Sequence, residues 1–409
     1  MRLVRYSLGT GVVLVSIVAA CGDGGDGSKS ATPTSDDASA GDGGRRSPVD
    51  EGGVDASPAS CDALGKACVD VGSSRRLSVA FDDGAHPVVA YGTSDGIRVR
   101  RWNDAEWKAL GAAIPNRLLD GGFQLHALGT RLFLVSQEAE VEQNIHVQEY
   151  DGTEWNDVAG SPFTVSDGPK GARPPEFHSS SGDGKIHIFS GGTPSQVKRF
   201  DGVSFVDEAP PQGISSSVIS PLIDVTPGGA LAVLYSFWGS QGIPSNSAYL
   251  ARNEAGTTNW TRVNSALVFD SEYGVAFSNT TSGAVVAIAV AQAWLIAMRG
   301  DESSWTPLGA DDGTVDSPER VGNAAAVEDD TGQPVLVYPV YDDTTNLVVR
   351  AKRWDGKTWN SVGDSTRALA PSFDPATAAA ASRGKTIAAV ASRAAPAFEY
   401  IGYDELTLP

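Results

Sequence analysis

The chain is poor in the residues that usually carry chemistry. Among 409 residues there are three cysteines, five histidines and two methionines. Basic residues are scarce too: 31 Lys and Arg face 50 Asp and Glu, a formal charge of −19. That balance argues against nucleic acid and anionic lipid headgroups as partners. There is no His–Glu–x–x–His helix, phosphate loop or strand-to-helix dinucleotide fingerprint, and the single Gly–x–Ser–x–Gly match, Gly92–Gly96, lies between two strands instead of forming a strand-to-helix elbow. The serine hydrolase, zinc protease and nucleotide-binding classes that use them are thereby excluded. Nor does any stretch beyond the N-terminal leader carry the apolar period of an amphipathic helix, so the fold class reads as all-β.

The chain does contain a repeated phrase: aromatic, Asp, Gly, two residues, aromatic, then a small apolar step and often Gly. It reads Trp102–Asn103–Asp104 to Trp107 and Leu110–Gly111, Tyr150–Asp151–Gly152 to Trp155, Phe200–Asp201–Gly202 to Phe205, and Trp354–Asp355–Gly356 to Trp359 and Val362–Gly363. Weaker copies end at Trp260 and at Trp305 with Leu308–Gly309. The closing aromatics recur about every 45 to 55 residues, the period range of four-stranded propeller blades. Asp hydrogen-bonds its own following backbone and Gly accepts positive φ, so each Asp–Gly pair reads as a turn. The aromatics read first as filling the wedge between blades, with stacking on sugar rings as the rival role.

One unit is written as Leu77–Phe81, a turn at Asp82–Gly84, Pro87–Tyr91, an alternating Ile97–Trp102 and a last strand over Glu106–Leu110. Second strands recur at Leu132–Val135, Ile186–Phe189, Leu231–Tyr235, Val285–Ile288, Pro334–Tyr338 and Thr386–Val390. The expectation is one domain over residues 61–409, a seven-bladed β-propeller of four-stranded blades. The seventh unit ends early: Phe398–Asp404 reads as its third strand, with Tyr403 in the place of Trp354. Residues near 66 to 72 match the stretch from Trp359 to Gly363, with Cys68 in the Trp359 place. They are expected to supply the missing outermost strand and close the ring, leaving no bare edge.

Residues 1–20 read as an export signal, with Arg2 and Arg5 ahead of an apolar Gly11–Val18 too short to span a bilayer comfortably. The ending Val18–Ala19–Ala20–Cys21 resembles the lipobox of bacterial lipoproteins. The resemblance implies a diacylglycerol on Cys21, a membrane anchor and a place in the cell envelope. Gly22 stands where an aspartate would signal inner-membrane retention, which favours the outer membrane or cell surface in a bacterium with two membranes. A plain secretory peptide is the alternative. Residues 21–60 are Gly, Ser, Asp, Ala and Pro with little to bury, and are expected to form a disordered tether. Cys61 and Cys68 are expected to pair as a local disulfide in an oxidising compartment; a metal site, with no His nearby, is the alternative.

Over residues 61–409 the repeats resemble bacterial surface β-propellers broadly, and no narrower family. Asp355–Trp359 falls one residue short of a sialidase Asp-box, and the sialidase arginine triad and Tyr–Glu pair have no counterpart. The double Gly of kelch and galactose-oxidase propellers occurs once, at Gly191–Gly192.

Two sets of residues are candidates for function. His126 and His178 fall in the first strands of the second and third units. Facing a central channel with Glu176, they could hold a metal or act as an acid–base group; ordinary strand residues are the alternative. The longer connections, 137–143, 191–196, 237–247 and 339–346, and the interblade stretches 112–121, 160–174, 206–216 and 264–273, fall on one face of the disc. Loops on one face of a rigid scaffold are where binding usually resides. Phe237, Trp238 and Tyr341, beside Asp342 and Asp343, are the contact candidates there, while Glu138, Glu140 and Glu142 read as solvated loop charge. The functional expectation is a non-catalytic, monomeric, lipid-anchored protein that binds a carbohydrate or a surface protein, without metal or cofactor. A glycan hydrolase or lyase using the channel His and Glu, and a scaffold in an envelope complex, are the alternatives.

Overall fold

The computed structural model describes residues 61–408 apart from internal segments, the longest being 165–176, 238–246 and 365–377. These residues form seven antiparallel sheets. Blade 1 runs Leu77–Phe81, Pro87–Thr93, Gly96–Trp102 and Trp107–Ala109, and blade 2 runs Phe123–Leu128, Arg131–Gln137, Ile145–Tyr150 and Trp155–Asp157. Blade 3 is Phe177–Ser180, Ile186–Ser190, Gln196–Phe200 and Phe205–Glu208; blade 4 is Val218–Val225, Leu231–Phe237, Ser247–Asn253 and Trp260–Arg262. Blade 5 is Val275–Thr280, Gly283–Val290, Trp294–Gly300 and Trp305–Pro307; blade 6 is Ala325–Glu328, Pro334–Tyr341, Leu347–Trp354 and Trp359–Asp364. Blade 7 takes Ala378–Arg383, Thr386–Ala395 and Phe398–Thr407 from the C-terminus and Cys68–Val71 from the other end of the domain. First strands of adjoining blades touch all the way round, blade 7 meeting blade 1, so the sheets close into a ring. The chain is a seven-bladed β-propeller.

The core lies between blades rather than within one. Second strands are covered on both faces and therefore read as unbroken apolar runs; Val88, Val89 and Ala90 are each fully buried. Val335, Val337, Val349 and Ala351 of blade 6 pack with Ile387, Ala389 and Ala391 of blade 7 in one such layer. Each buried aliphatic side chain contributes roughly 1.5–3 kcal/mol, and every blade draws on two neighbours.

The repeated phrase is a stitch between blades. The indole N–H of Trp155 donates to the Leu110 carbonyl of blade 1 at 2.7 Å, that of Trp260 to Ala209 of blade 3 at 2.8 Å, and that of Trp107 to Lys66 at 3.0 Å. Where the acceptor is Leu110, the Gly that follows makes room for the incoming ring. A Cβ on Gly111, whose φ is +77°, would sit 3.3 Å from Trp155 Cδ1. The Asp–Gly turns behave as expected: Asp151 Oδ1 accepts from the backbone N–H groups of Thr153 and Glu154, and Asp355 Oδ1 from those of Lys357 and Thr358.

Ring closure occurs through Cys68–Val71, which pairs with the third strand of blade 7. The register differs from the expected one. The third strand runs on to Thr407, which faces Thr386, so Tyr403 lies mid-strand opposite Val390 instead of at the strand end. Cys68 pairs with Gly402 and is therefore not in the tryptophan place. Lys66, whose carbonyl receives the Trp107 indole, marks the position that Leu110 occupies in blade 1. Cys61 and Cys68 form a disulfide with their Cα atoms 5.3 Å apart, tying the start of the domain to this closing strand.

Candidate functional site

Several expected contact residues lie outside the described residues: Glu176, Trp238, Asp342 and Asp343, as does Cys21. Phe237 and Tyr341 end the second strands of blades 4 and 6 in backbone terms, and their side chains are likewise outside the description.

His126 and His178 belong to a belt of ties between innermost strands. Ser78 Oγ accepts from the Leu125 N–H across blades 1 and 2, at 2.9 Å. His126 sits between Ser181 Oγ at 2.9 Å and Ser179 Oγ at 2.8 Å, both of blade 3. His178 Nδ1 meets the Ile223 carbonyl of blade 4 at 3.0 Å, and beside it the Ser180 hydroxyl donates to Asp224. Asp224 in turn accepts from the Asn279 N–H of blade 5 at 2.8 Å. Glu328 of blade 6 accepts from the Thr281 N–H at 2.7 Å, and its backbone carbonyl accepts from Ser382 of blade 7. Arg383 donates to the Asp83 carbonyl of blade 1, so every junction has a tie. Burial pushes His126 down to about 3 and His178 down to about 4, so both rings are neutral at physiological pH. No group of three or more His, Cys, Asp or Glu among the described residues is arranged to hold a metal ion.

A cleft of about 380 Å³ opens between blades 1 and 2. One wall is the segment leaving blade 1, Ala112–Pro115, held in place because Ile114 exchanges backbone hydrogen bonds with Ile97 at 2.9 and 3.0 Å. The opposite wall carries Arg117, Glu138, Gln148, Glu154 and Trp155. The carbonyl of Leu110 holds the Trp155 ring through its indole N–H. Arg117 bridges in backbone terms to Glu138, and its Nε donates to Ser136 Oγ at 3.1 Å.

Electrostatics preset these groups. Burial draws the Arg117 guanidinium below its ordinary value against the attraction of Asp157 and Glu138; a guanidinium stays charged regardless. Burial would raise Glu138, but its bonds to His146 Nε2 at 2.9 Å and Asn144 Nδ2 at 2.9 Å, with the Arg117 charge, bring it below the usual carboxylate range. Gln148 is 6% exposed and its Oε1 makes no hydrogen bond, an acceptor left over at the cleft wall. A buried acceptor without a donor costs about 1–3 kcal/mol, which a ligand hydroxyl would recover. An indole, a guanidinium, two carboxylates and a primary amide around one hollow suit a ring with one apolar C–H face and several hydroxyls.

A second cleft, of about 310 Å³, lies between blades 2 and 3. Its cation is committed: Arg131 grips Glu149 through two bonds of 2.6 Å and donates to the Gly202 carbonyl at 2.7 Å. The first cleft is the better site.

Sequence reading named the stretch 112–121 for its length but passed over Arg117 and Gln148, took Glu138 for loop charge and Trp155 for core. One signal was present. Blade 1 writes Arg98–Val99–Arg100 ahead of its third-strand aromatic, whereas blade 2 writes His146–Val147–Gln148.

No protein-family model matches the chain, and no curated protein matches it by sequence. Solved structures do match. The BP39L lectin from Burkholderia pseudomallei aligns with a TM-score of 0.52 at 12% identity, over 82% of this chain and 99% of that one. A lectin from Aleuria aurantia in complex with Fucα1-6GlcNAc aligns at 0.44 and 13% identity, over 74% of this chain and 97% of that one. An ulvan lyase aligns at 0.42 and 10% identity, over 68% of this chain and 78% of that one. These likenesses concern the fold.

Proposed function

We propose that this protein is an exported propeller that binds a carbohydrate and catalyses no reaction, held at the cell envelope by a lipid on Cys21 with residues 22–60 as the spacer. The observation that carries the carbohydrate reading is the cleft between blades 1 and 2. There an indole held by Leu110, the Arg117 and Glu138 charges and the unpartnered Gln148 oxygen line one hollow. Sugar hydroxyls donate to carboxylate and amide oxygens and accept from a guanidinium, while pyranose C–H groups lie against an indole. The BP39L lectin, built on the same kind of ring, supports this reading as precedent. Against the lyase alternative, the nitrogens that would move protons on His126 are both engaged in blade ties.

The deciding experiment is a printed glycan array probed with the intact chain, with turnover of the bound glycans followed in parallel. Binding without product release, lost in Arg117→Ala and Gln148→Ala variants that keep the wild-type melting curve, is the expected result. Product release that disappears in His178→Ala would replace this reading with the enzymatic one. An array with no signal, together with a stable co-purifying protein, would replace it with a protein-binding role.

A further inference from the structure

In five blades the segment that leaves the blade returns to pair with the start of that blade's third strand. At four of these junctions the side chain that then meets the next blade is described: Ile114 opposite Ile97, Phe163 opposite Ile145, Asp316 opposite Leu295 and Asp70 opposite Ile401. What this residue meets differs from junction to junction.

Between blades 7 and 1, Asp70 accepts from the Tyr91 hydroxyl and from Arg100 Nη2 at 3.1 Å, with Arg98 3.7 Å away. Between blades 5 and 6, Asp316 accepts from the Tyr338 hydroxyl at 2.7 Å and Arg350 Nη1 at 3.1 Å, with Lys352 at 3.5 Å. The two clusters occupy the same register, since Tyr91 pairs with Arg98 and Tyr338 with Arg350. Between blades 2 and 3 the Phe163 ring fills the place, packed on Phe205 at 5.5 Å and under the Lys198 ammonium at 5.2 Å.

Between blades 1 and 2 the same positions read Ile114, Ser136, His146 and Gln148, with Ser136 paired to His146. Ser136 stands where the other two junctions have Tyr, and Gln148 where they have Arg100 and Lys352. The loss of the phenol ring and the long cationic side chain leaves the hollow. Ile114, apolar where those two junctions have Asp, offers nothing polar from its side chain, and the Gln148 oxygen, an acceptor, has no donor on this wall.

We propose that the blade 1–2 cleft is the one glycan site among these four junctions. At the others Asp70, Phe163 and Asp316 fill the position equivalent to this hollow, and the second cleft between blades 2 and 3 is lined by other residues, with Arg131 committed to Glu149 and Gly202. With one open site among the junctions described in this way, we expect the protein to capture glycans one at a time and not to cross-link them. This rests on the carbohydrate reading above.

The test is isothermal titration of the full-length chain in detergent with a panel of methyl hexosides and methyl deoxyhexosides, with sedimentation in the presence of a divalent form of the glycoside that binds. The expected result is a stoichiometry of one, no cross-linked species, and binding at least about tenfold weaker in an Ile114→Asp, Ser136→Tyr, Gln148→Arg variant, which installs the Asp70, Tyr91 and Arg100 plug of blades 7–1. Gln148→Arg alone serves if the triple variant does not fold. Two or more sites per chain, or cross-linked oligomers, would overturn the single-site inference and leave the carbohydrate reading intact. One site that survives the plugging substitutions in a folded variant would overturn the assignment of that site to this cleft. No binding of any glycoside would fell the carbohydrate reading and this inference with it.

Discussion

The indole N–H of Trp359 donates to the backbone carbonyl of Leu308, one blade back, at 2.9 Å. The bond joins the outermost strands of two sheets that have no ladder between them, so it acts where only side-chain packing otherwise operates. Trp359→Phe keeps an aromatic ring and removes the donor, and should cost about 1 kcal/mol. Trp359→Ala also removes the ring and should cost about 3 kcal/mol or more. Urea denaturation of the two variants measures both, and a Trp359→Phe variant as stable as the wild type would show that the hydrogen bond contributes nothing.

Glycines in the repeat fall into two kinds. Gly309 has φ +115° and a Cβ there would lie 3.1 Å from Trp359 Cδ1, whereas Gly356 has φ +97° and open space around it. Gly309→Ala therefore meets both backbone strain and the ring, and Gly356→Ala the strain alone. Strain of this kind costs on the order of 1–3 kcal/mol, and Gly309→Ala should be the more destabilising of the two. Thermal melts that rank them the other way would refute the packing argument.

Asp104 occupies the left-handed position, φ +73°, that Gly152, Gly202 and Gly356 hold in the other copies. Relief of that strain in Asp104→Gly should raise the melting temperature by a few degrees, equivalent to about 0.5–1 kcal/mol. The side chain is 81% exposed, so its contact with His86 Nε2 at 3.2 Å offsets little. A lower melting temperature would assign that contact more weight than solvent screening allows.

The buried histidines make the fold sensitive to mild acid. An unfolded chain protonates them near pH 6.5, while the folded ring keeps His178 neutral to about 4 and His126 to about 3. The unfolded state thus binds more protons across that interval. Stability is full above pH 6.5 and falls as the pH drops towards 4, by about 3 kcal/mol for His178. His187 runs the other way: burial would lower it, but the carboxylates of Asp183 and Glu208 raise it, and its contribution is lost as the pH rises. Urea midpoints measured from pH 7 to pH 4 should decline in the wild type and flatten in a His126→Gln, His178→Gln double variant. A slope unchanged by the double variant would place the acid response elsewhere.

The N-terminal closure can be divided into its covalent and hydrogen-bonded parts. Replacing Cys61 and Cys68 by Ser should cost up to about 2.5 kcal/mol, the entropy of a short loop, without opening the ring. Deleting residues 61–72 also removes the strand on Phe398–Thr407 and should lower the melting temperature far more. Equal losses would mean that strand pairing adds nothing to closure.

Much of this architecture was legible in the chain. The Asp–Gly turns, the aromatic spacing and runs such as Pro334–Tyr338 identified blades and strands, because turn chemistry and strand burial act between near neighbours. The last blade was harder. Tyr403 carries the local signature of a strand end, yet the strand runs on to Thr407, since its register answers to Thr386 on the adjacent strand. His126 and His178 were singled out for their chemistry, and tertiary packing engages them in ties to blades 3 and 4.

By itself, then, the sequence determined that the fold is all-β, how many blades it has and where each turns, through interactions spanning a few residues. Only the tertiary structure decided which junction is hollow. Arg117, Ser136 and Gln148 are unremarkable in their own strands. Their meaning comes from facing Ile114 across a blade boundary where Tyr338 and Asp316, at the matching boundary, fill the same space. Side-chain volume and charge summed over two separate sheets set that outcome, and no local pattern encodes such a sum.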